Sequence, residues 1–383
     1  MGQPDWGQPD CGQSGRAAGR PDGGLYAALD LGTNNCRLLV ARPSHDGFRV
    51  VDAFSRIVRL GEGLAASGEL SGPAMARTIE ALKVCAGKIR RRGVTHVRAV
   101  ATEACRRAAN CEAFLDNVRR ETGIELEIIS QNEEAALAVC GCAPLIDPDI
   151  PDILLFDIGG GSTEICWLKT QPAGAAGAGS VAGQAPELSL YAWLSVPIGV
   201  ITLSERYGTE RYGTGRKVSG ADAATSYRAM EADMAAAVAV FEARHRVRET
   251  VARGPVQMLG TSGTVTTLAG VHKELRRYDR AAVDGSYLDM AIVRAISERI
   301  GAMSQAERAA HPCIGPERAD LVIAGCAILS ALCRLWPAER LRVADRGLRE
   351  GMLYAMIHGV SAPHGRWAPE AKAVTKAAAT ADP

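Results

Sequence analysis

The residues of this chain best suited to chemistry are carboxylates set beside glycine turns. In Ile153 to Leu168, ILLFDIGGGSTEICWL, an apolar stretch ends on Asp157. Glycines follow at 159, 160 and 161, and Ser162, Thr163 and Glu164 then lead into a second apolar stretch. Without Cβ atoms, consecutive backbone N–H groups can close on an anion that a side chain would keep away. The pattern predicts a phosphate cradle with a carboxylate at its mouth. A related unit stands near the start, where LYAALDLGTNNCRLLVA has Asp30 for Asp157, Gly32 for Gly159 and Asn35 for Ser162. Two strand–turn–strand units one domain apart predict a duplicated fold with its ligand in the cleft between the halves. They differ in one informative place, since Arg37 stands where the later unit has Glu164. The second loop is therefore expected to serve a metal, and the first mainly phosphate.

Three further stretches could join such a site. Thr261-Ser262-Gly263-Thr264 follows a short apolar strand and opens a helix, offering capping hydroxyls and unpaired N–H groups to an anion. Arg106 and Arg107 come soon after a strand expected at Val94 to Ala101, where a guanidinium fork can reach a cleft and pair with phosphate; a surface role fits the same spacing. Ser130-Gln131-Asn132-Glu133 has capping-box spacing, which assigns Glu133 to the Ser130 backbone. Glu134, about 100° further round the same turn, is left free to point elsewhere.

Other patterns read as structure. Cys85 and Arg91 have the C-x5-R spacing of a phosphatase loop. They fall, however, inside a helical period with Met75, Ile79, Leu82, Ala86 and Ile89 on one face, and a helix cannot curl round an anion. Arg90, Arg91 and Arg92 suit the negative end of that helix before Gly93 stops it. His45 and Asp46 read as turn residues.

Positioning these groups requires two domains, which the 383-residue length allows. Residues 1–24, with repeated GQPD, are expected as a disordered tail. Residues 25–146 form the expected first domain, holding the first loop and Glu134 and completed by a last helix at 348–358. Residues 151–346 form the second, with a flexible Gly/Ala-rich insertion at 170–187, and 360–383 is a second flexible tail. Asn110 is expected to cap the helix that Gly123 ends, and 318–335 to form one apolar helix. A net charge of +1 gives no bulk drive toward nucleic acid. No apolar run reaches the roughly 18 residues of a membrane span, and the start carries no leader pattern, so the expected location is cytoplasmic. Eleven cysteines without a CxxC pair are expected as small buried hydrophobes in a reducing compartment, and the seven dispersed histidines suggest no metal cluster.

Eight stretches between Leu25 and His358 then carry a resemblance. In order they are ALDLGTNNCRLLV, VATEACRRAAN, IISQNEEA, LLFDIGGGSTEI, SVPIGVITLSERY, LGTSGTVTTLAG, ERADLVIAGCAIL and RVADRGLREGML. Together they resemble the exopolyphosphatase / guanosine pentaphosphate phosphatase (Ppx/GppA) family in its short form, without the C-terminal HD-like domain. The resemblance implies an α/β fold of two ribonuclease H-like domains, the actin-like ATPase superfold, with an interdomain cleft. It implies hydrolysis of terminal phosphate from inorganic polyphosphate of short or medium length, or from guanosine pentaphosphate, assisted by Mg2+ or another divalent cation, by a homodimer. It places Asp30, Asp157 and Glu164 at the metal, Glu134 on the attacking water and Arg106 on the phosphate chain. Gly32, Thr33, Asn34, Asn35, Gly159, Gly160, Gly161, Ser162, Thr261, Ser262 and Gly263 would hold phosphate. The chain departs from the family pattern in having Asn35 for serine, Gln131 for glycine and Ala344 for serine. A kinase-like phosphotransferase and a non-catalytic sensor remain open, although a sensor has no use for a carboxylate such as Glu134.

Overall fold

Strand alternation divides the apolar residues of this chain among several cores, and in doing so aims the two aspartates. The structure is a computed structural model and describes residues 24–45, 47–170, 188–207 and 220–359. Asp46 and nearly all of the two expected tails and the Gly/Ala-rich insertion lie outside the described residues.

The first sheet contains β1 (Tyr26–Leu31), β2 (Asn35–Ser44), β3 (Gly47–Ile57), β4 (His96–Ala101) and β5 (Glu127–Ile128), in the order β3-β2-β1-β4-β5. Strands β1, β4 and β5 run parallel, and β2 is antiparallel to both its neighbours. The second sheet contains β6 (Asp152–Ile158), β7 (Thr163–Thr170), β8 (Leu188–Val196), β9 (Val256–Thr261), β10 (Tyr287–Asp289) and β11 (Arg340–Ala344), in the order β10-β11-β9-β6-β7-β8. Read from β8, it repeats the first sheet's order and strand directions, with β10 added as an antiparallel edge. This is the ribonuclease H-like arrangement twice over, the α/β architecture of the actin-like ATPase superfold.

Successive residues of a strand face opposite sides of its sheet. Ala27, Leu29 and Leu31 pack with Ile79 and Leu82 of the Gly72–Arg92 helix and Phe114 of the Cys111–Thr122 helix. Tyr26 and Ala28 turn the other way, onto Met352 and Leu353 of the last helix, Leu348–His358. In the second sheet Leu154 and Phe156 join the core of the Val322–Leu335 helix. Ile153 and Leu155 face Ala135 and Cys142 of the Gln131–Cys142 helix, hereafter the central helix. By parity Asp30 continues the side of Ala28, and Asp157 the side of Leu155. Both sheets thus present an aspartate toward the central and last helices.

Those two helices cross in backbone contact. A Cβ on Gly141 would lie 1.9 Å from the Gly347 carbonyl oxygen, and one on Gly351 would lie 1.9 Å from that of Leu137. Glycine inside a helix costs about 1 kcal/mol relative to alanine. Here it permits an approach that no other residue allows, and it holds the start of the last helix against the central one. Arg59 and Asp320 join the halves elsewhere, with guanidinium-to-carboxylate distances of 2.9 and 2.8 Å.

Several local expectations change. The strand that leads to Ser130 is only the two residues of β5. The apolar helix expected from 318 begins at Val322, so Arg318 and Asp320 lie in the turns that precede it. Asn110 occupies the cap position, but its side chain bonds the backbone N–H and C=O of Leu70, both at 2.9 Å. Among the described residues no helix is long and apolar enough to cross a membrane.

Candidate active site

Cross-strand partners share a face of a sheet, and two rows of partners build this site. In the second sheet Ala344, Thr261, Asp157, Glu164 and Ser195 pair in succession across β11, β9, β6, β7 and β8. In the first sheet the row is Val100, Asp30, Arg37 and Ser55. The contrast between Glu164 and Arg37 is therefore a contrast between the immediate neighbours of the two aspartates.

Asp30 and Arg37 of one row and Asp157 and Thr261 of the other line a cavity of about 140 Å³. Asp30, Gly32 to Asn35, Glu134, Asp157, Gly159 to Ser162 and Thr261 to Gly263 all line it. Glu164 and Arg106 do not. Each hairpin is closed by the same bond, Gly32 N–H to Asn35 C=O and Gly159 N–H to Ser162 C=O, both 2.9 Å. The first N–H groups of the Val200–Tyr207 helix hold the second loop from behind, Val200 donating to Gly159 C=O at 3.0 Å and Ile201 to Gly160 C=O at 2.8 Å. The glycines also serve an end that the anion argument did not foresee. A Cβ on Gly160 would meet Asn34 at 3.0 Å, and one on Gly161 would meet the Thr33 hydroxyl at 2.8 Å. The two loops touch each other, and glycine is what lets them.

Ser262 adopts φ 113° and ψ 173°, a region that favours glycine, while its hydroxyl accepts from Thr264 N–H at 3.3 Å. The strained residue starts the Gly263–His272 helix at the cavity wall. A Cβ on Gly263 would lie 3.8 Å from Arg37 Nη2 and 3.9 Å from Arg318 Cζ. Two guanidinium groups, one from each half, thus meet at a helix N-terminus, a pairing suited to phosphate.

The site also holds a cluster of carboxylates, Glu164 buried and Asp30, Asp157 and Glu134 half-buried. Burial raises the Asp30 pKa against the pull of Arg37 and Arg349. It lifts Asp157 to about 6, with Arg37 opposing and Asp30 reinforcing. Glu164 rises to about 7 through burial and the charge of Asp157, although the Ser195 hydroxyl donates to it at 2.9 Å. Glu134 is driven well above the usual carboxylate range by burial and then by Glu164, with Arg106 opposing. Among the described residues no three His, Cys, Asp or Glu converge into a ready metal site. The available donors are oxygens, however: the carboxylates of Asp30 and Asp157, and Oδ1 of Asn34 and Asn35, both buried without a hydrogen-bond partner. Such a set suits a hard cation that keeps several of its waters.

Some expected roles fall elsewhere. Ser130 Oγ accepts from Glu133 N–H at 3.2 Å, but the Glu133 carboxylate pairs with Arg98 instead of reaching back to close the capping box. Glu134 faces the cavity all the same. Arg106, expected on phosphate, spends its fork on Glu103, Glu134 and the Ile129 carbonyl. Cys85 Sγ lies 4.0 Å from Cys36 Sγ in the core, away from any anion loop. Glu103, Arg318 and the run Asp345 to Glu350 line the cavity without having been assigned to it. The strand-to-helix rule that drew attention to Arg106 applies equally to Asp345 and Arg346, between β11 and the last helix.

Two ribonuclease H-like halves, with paired glycine-rich loops and a carboxylate cluster at one cavity, define a protein of the actin-like ATPase superfold. Comparison with known proteins sharpens this. The model of the Ppx/GppA phosphatase family matches residues 39–359, and the chain belongs to that family. Among solved structures, a Ppx/GppA family member from Aquifex aeolicus is 26% identical with a TM-score of 0.64, covering 87% of this chain and 97% of that one. An exopolyphosphatase-like protein is 27% identical with a TM-score of 0.72, covering 88% of this chain and 100% of that one. An exopolyphosphatase from Cytophaga hutchinsonii, 23% identical with a TM-score of 0.73 over 88% of this chain and 99% of that one, shares the fold.

Proposed function

We propose that the protein is an exopolyphosphatase, releasing terminal phosphate from short or medium inorganic polyphosphate by in-line attack of water with the help of Mg2+. The observation that carries this reading is Glu134, a half-buried carboxylate of raised basicity on the wall of a cavity that also holds both glycine-rich loops. Phosphoanhydride hydrolysis needs charge neutralised on the transferring group and water held in line, with little covalent help. Glu134 orients the water and takes its proton. The loop N–H groups, the start of the Gly263–His272 helix, Arg37 and Arg318 bind the phosphate oxygens. Asp30 and Asp157 would hold Mg2+, with Glu164 beside Asp157 completing the acidic environment, and the ion supplies charge neutralisation on the phosphate. Likeness at 27% identity to an exopolyphosphatase-like protein supports the substrate class. In this reading the cleft separates a domain of residues 25–146 plus 348–358 from one of residues 151–346.

Guanosine pentaphosphate is the alternative substrate. Both molecules end in the same phosphoanhydride, so both present the same reacting end to Glu134 and the two loops. Phosphate release should be measured in parallel from short polyphosphate, long polyphosphate, guanosine pentaphosphate and ATP, with and without Mg2+. The expected result is fastest release from short polyphosphate, lost when Mg2+ is chelated. Faster release from guanosine pentaphosphate would reverse the order of the two substrates. Transfer of phosphate to ADP or another acceptor, with little free phosphate, would mark a kinase.

A further inference from the structure

We propose that Glu103 is a positioning residue for Glu134, acting through the Arg106 guanidinium that the two carboxylates share. The proposal rests on the reading of Glu134 as the group that handles the attacking water. Glu103 opens the short Glu103–Arg107 helix directly after β4 and lines the cavity, with its side chain only 7% exposed. Its Oε2 accepts from both Nε and Nη2 of Arg106, at 3.2 and 3.0 Å. Nη1 of Arg106 donates to the Ile129 carbonyl at 2.9 Å, so the fork is anchored at both ends.

The consequence appears at Glu134. Its Oε2 forms an ion pair with Arg106 Nη2 at 2.8 Å, while Nε and Nη1 of the same guanidinium stay on Glu103 and the Ile129 carbonyl. Arg106 thus meets Glu134 through one nitrogen only, which leaves the rest of the carboxylate for the attacking water. Without Glu103 the guanidinium would be free to turn its fork onto Glu134 as a bidentate clamp, the geometry it otherwise favours. Glu103 is also tied to the second phosphate loop, because a Cβ on Gly161 would lie 3.2 Å from Glu103 Cγ. The loop that receives phosphate therefore packs against the residue that sets Glu134.

The test is steady-state phosphate release from short polyphosphate at saturating Mg2+, with thermal melts of each variant. Glu103→Gln is close in shape and leaves Arg106 only a neutral partner. It is expected to lower kcat about tenfold or more while KM stays within about twofold, with little change in melting temperature. Glu103→Ala, which leaves Arg106 to the Ile129 carbonyl and Glu134 alone, should lower kcat at least as far. Since Glu103 acts through Arg106, adding Glu103→Gln to Arg106→Gln should cause little further loss beyond that of Arg106→Gln alone. Wild-type kcat in either folded Glu103 variant would overturn the proposal, and so would full multiplication of the two losses in the double variant. Glu134→Gln runs alongside. If it stays active, the reading of Glu134 fails; if it is inactive while Glu103→Gln keeps the wild-type kcat, only the present inference fails.

Discussion

Asp157 and Glu164 sit side by side across one hairpin, and the fold makes both harder to ionise than ordinary carboxylates. Burial is the first cause in each case, lifting Asp157 to about 6 and Glu164 to about 7. In an unfolded chain both would titrate near 4. The folded state therefore binds their protons more tightly. The stability this contributes is fully present below about pH 4 and is lost as pH rises through about 6 to 7. Glu164→Gln mimics the protonated form at every pH. In the absence of divalent cation its melting temperature should gain on that of the wild type as pH rises from about 5 to about 8, in line with this linkage. Mg2+ should narrow the gap by favouring the ionised wild-type side chains. Parallel curves for the two proteins would show that Glu164 does not titrate in that window. The aspartates, the paired loops and Glu134 were legible in the sequence because each depends on local pattern, namely a strand ending at a glycine turn or a helix start. Arg318 and Glu103 were not, since their roles arise only when two distant segments meet.

At the scale of elements, the crossing of the central and last helices holds the site together. Its two glycines leave no room for a methyl group, since either Cβ would fall 1.9 Å from a carbonyl oxygen of the other helix or its start. Gly351→Ala gains helix propensity but forces the pair apart, and overpacking of this kind costs about 3 kcal/mol. Chemical denaturation should register that loss, together with reduced phosphate release, because Glu134 and the Asp345 to Glu350 run ride on the separated elements. The opposite result, a stabilised Gly351→Ala protein, would mean that the helices can slide apart at no cost. Local sequence pattern marked the start of the central helix, through the capping spacing at Ser130, and the expected bounds of the last one agree with Leu348–His358. It could not reveal the crossing, because a helical glycine looks like a weak point until the partner backbone is seen. Capping was legible only in part: the Ser130 hydroxyl caps as expected, whereas Glu133 and Asn110 found stronger partners in Arg98 and the Leu70 backbone.

For the whole molecule, duplication is the organising fact, and it was readable from two hairpins before any sheet was seen. What the hairpins did not show is how the halves are held together away from the chain crossings. Arg59, itself at φ 49°, pairs with Asp320 through two guanidinium bonds and reaches the Glu317 carbonyl at 3.0 Å. Nearby, Gly63 N–H donates to Glu205 Oε1 at 2.7 Å. These contacts draw the halves together close to Arg318 and Leu321 on the cavity wall. Arg59→Ala should loosen closure by roughly 1 kcal/mol, raising KM for polyphosphate about fivefold with a smaller effect on kcat. Steady-state kinetics on the variant checks this, and an unchanged KM would remove Arg59 from the closing contacts.

The measurement that bears most directly on the central claim is phosphate release from short polyphosphate by the wild-type protein and by Glu134→Gln, both with Mg2+. The wild type is expected to turn over. The variant should fall by about 10² to 10⁴, the usual contribution of a general base, while still binding polyphosphate and melting as the wild type does. Phosphate release by Glu134→Gln at close to the wild-type rate, or none from the wild type itself, would contradict the account.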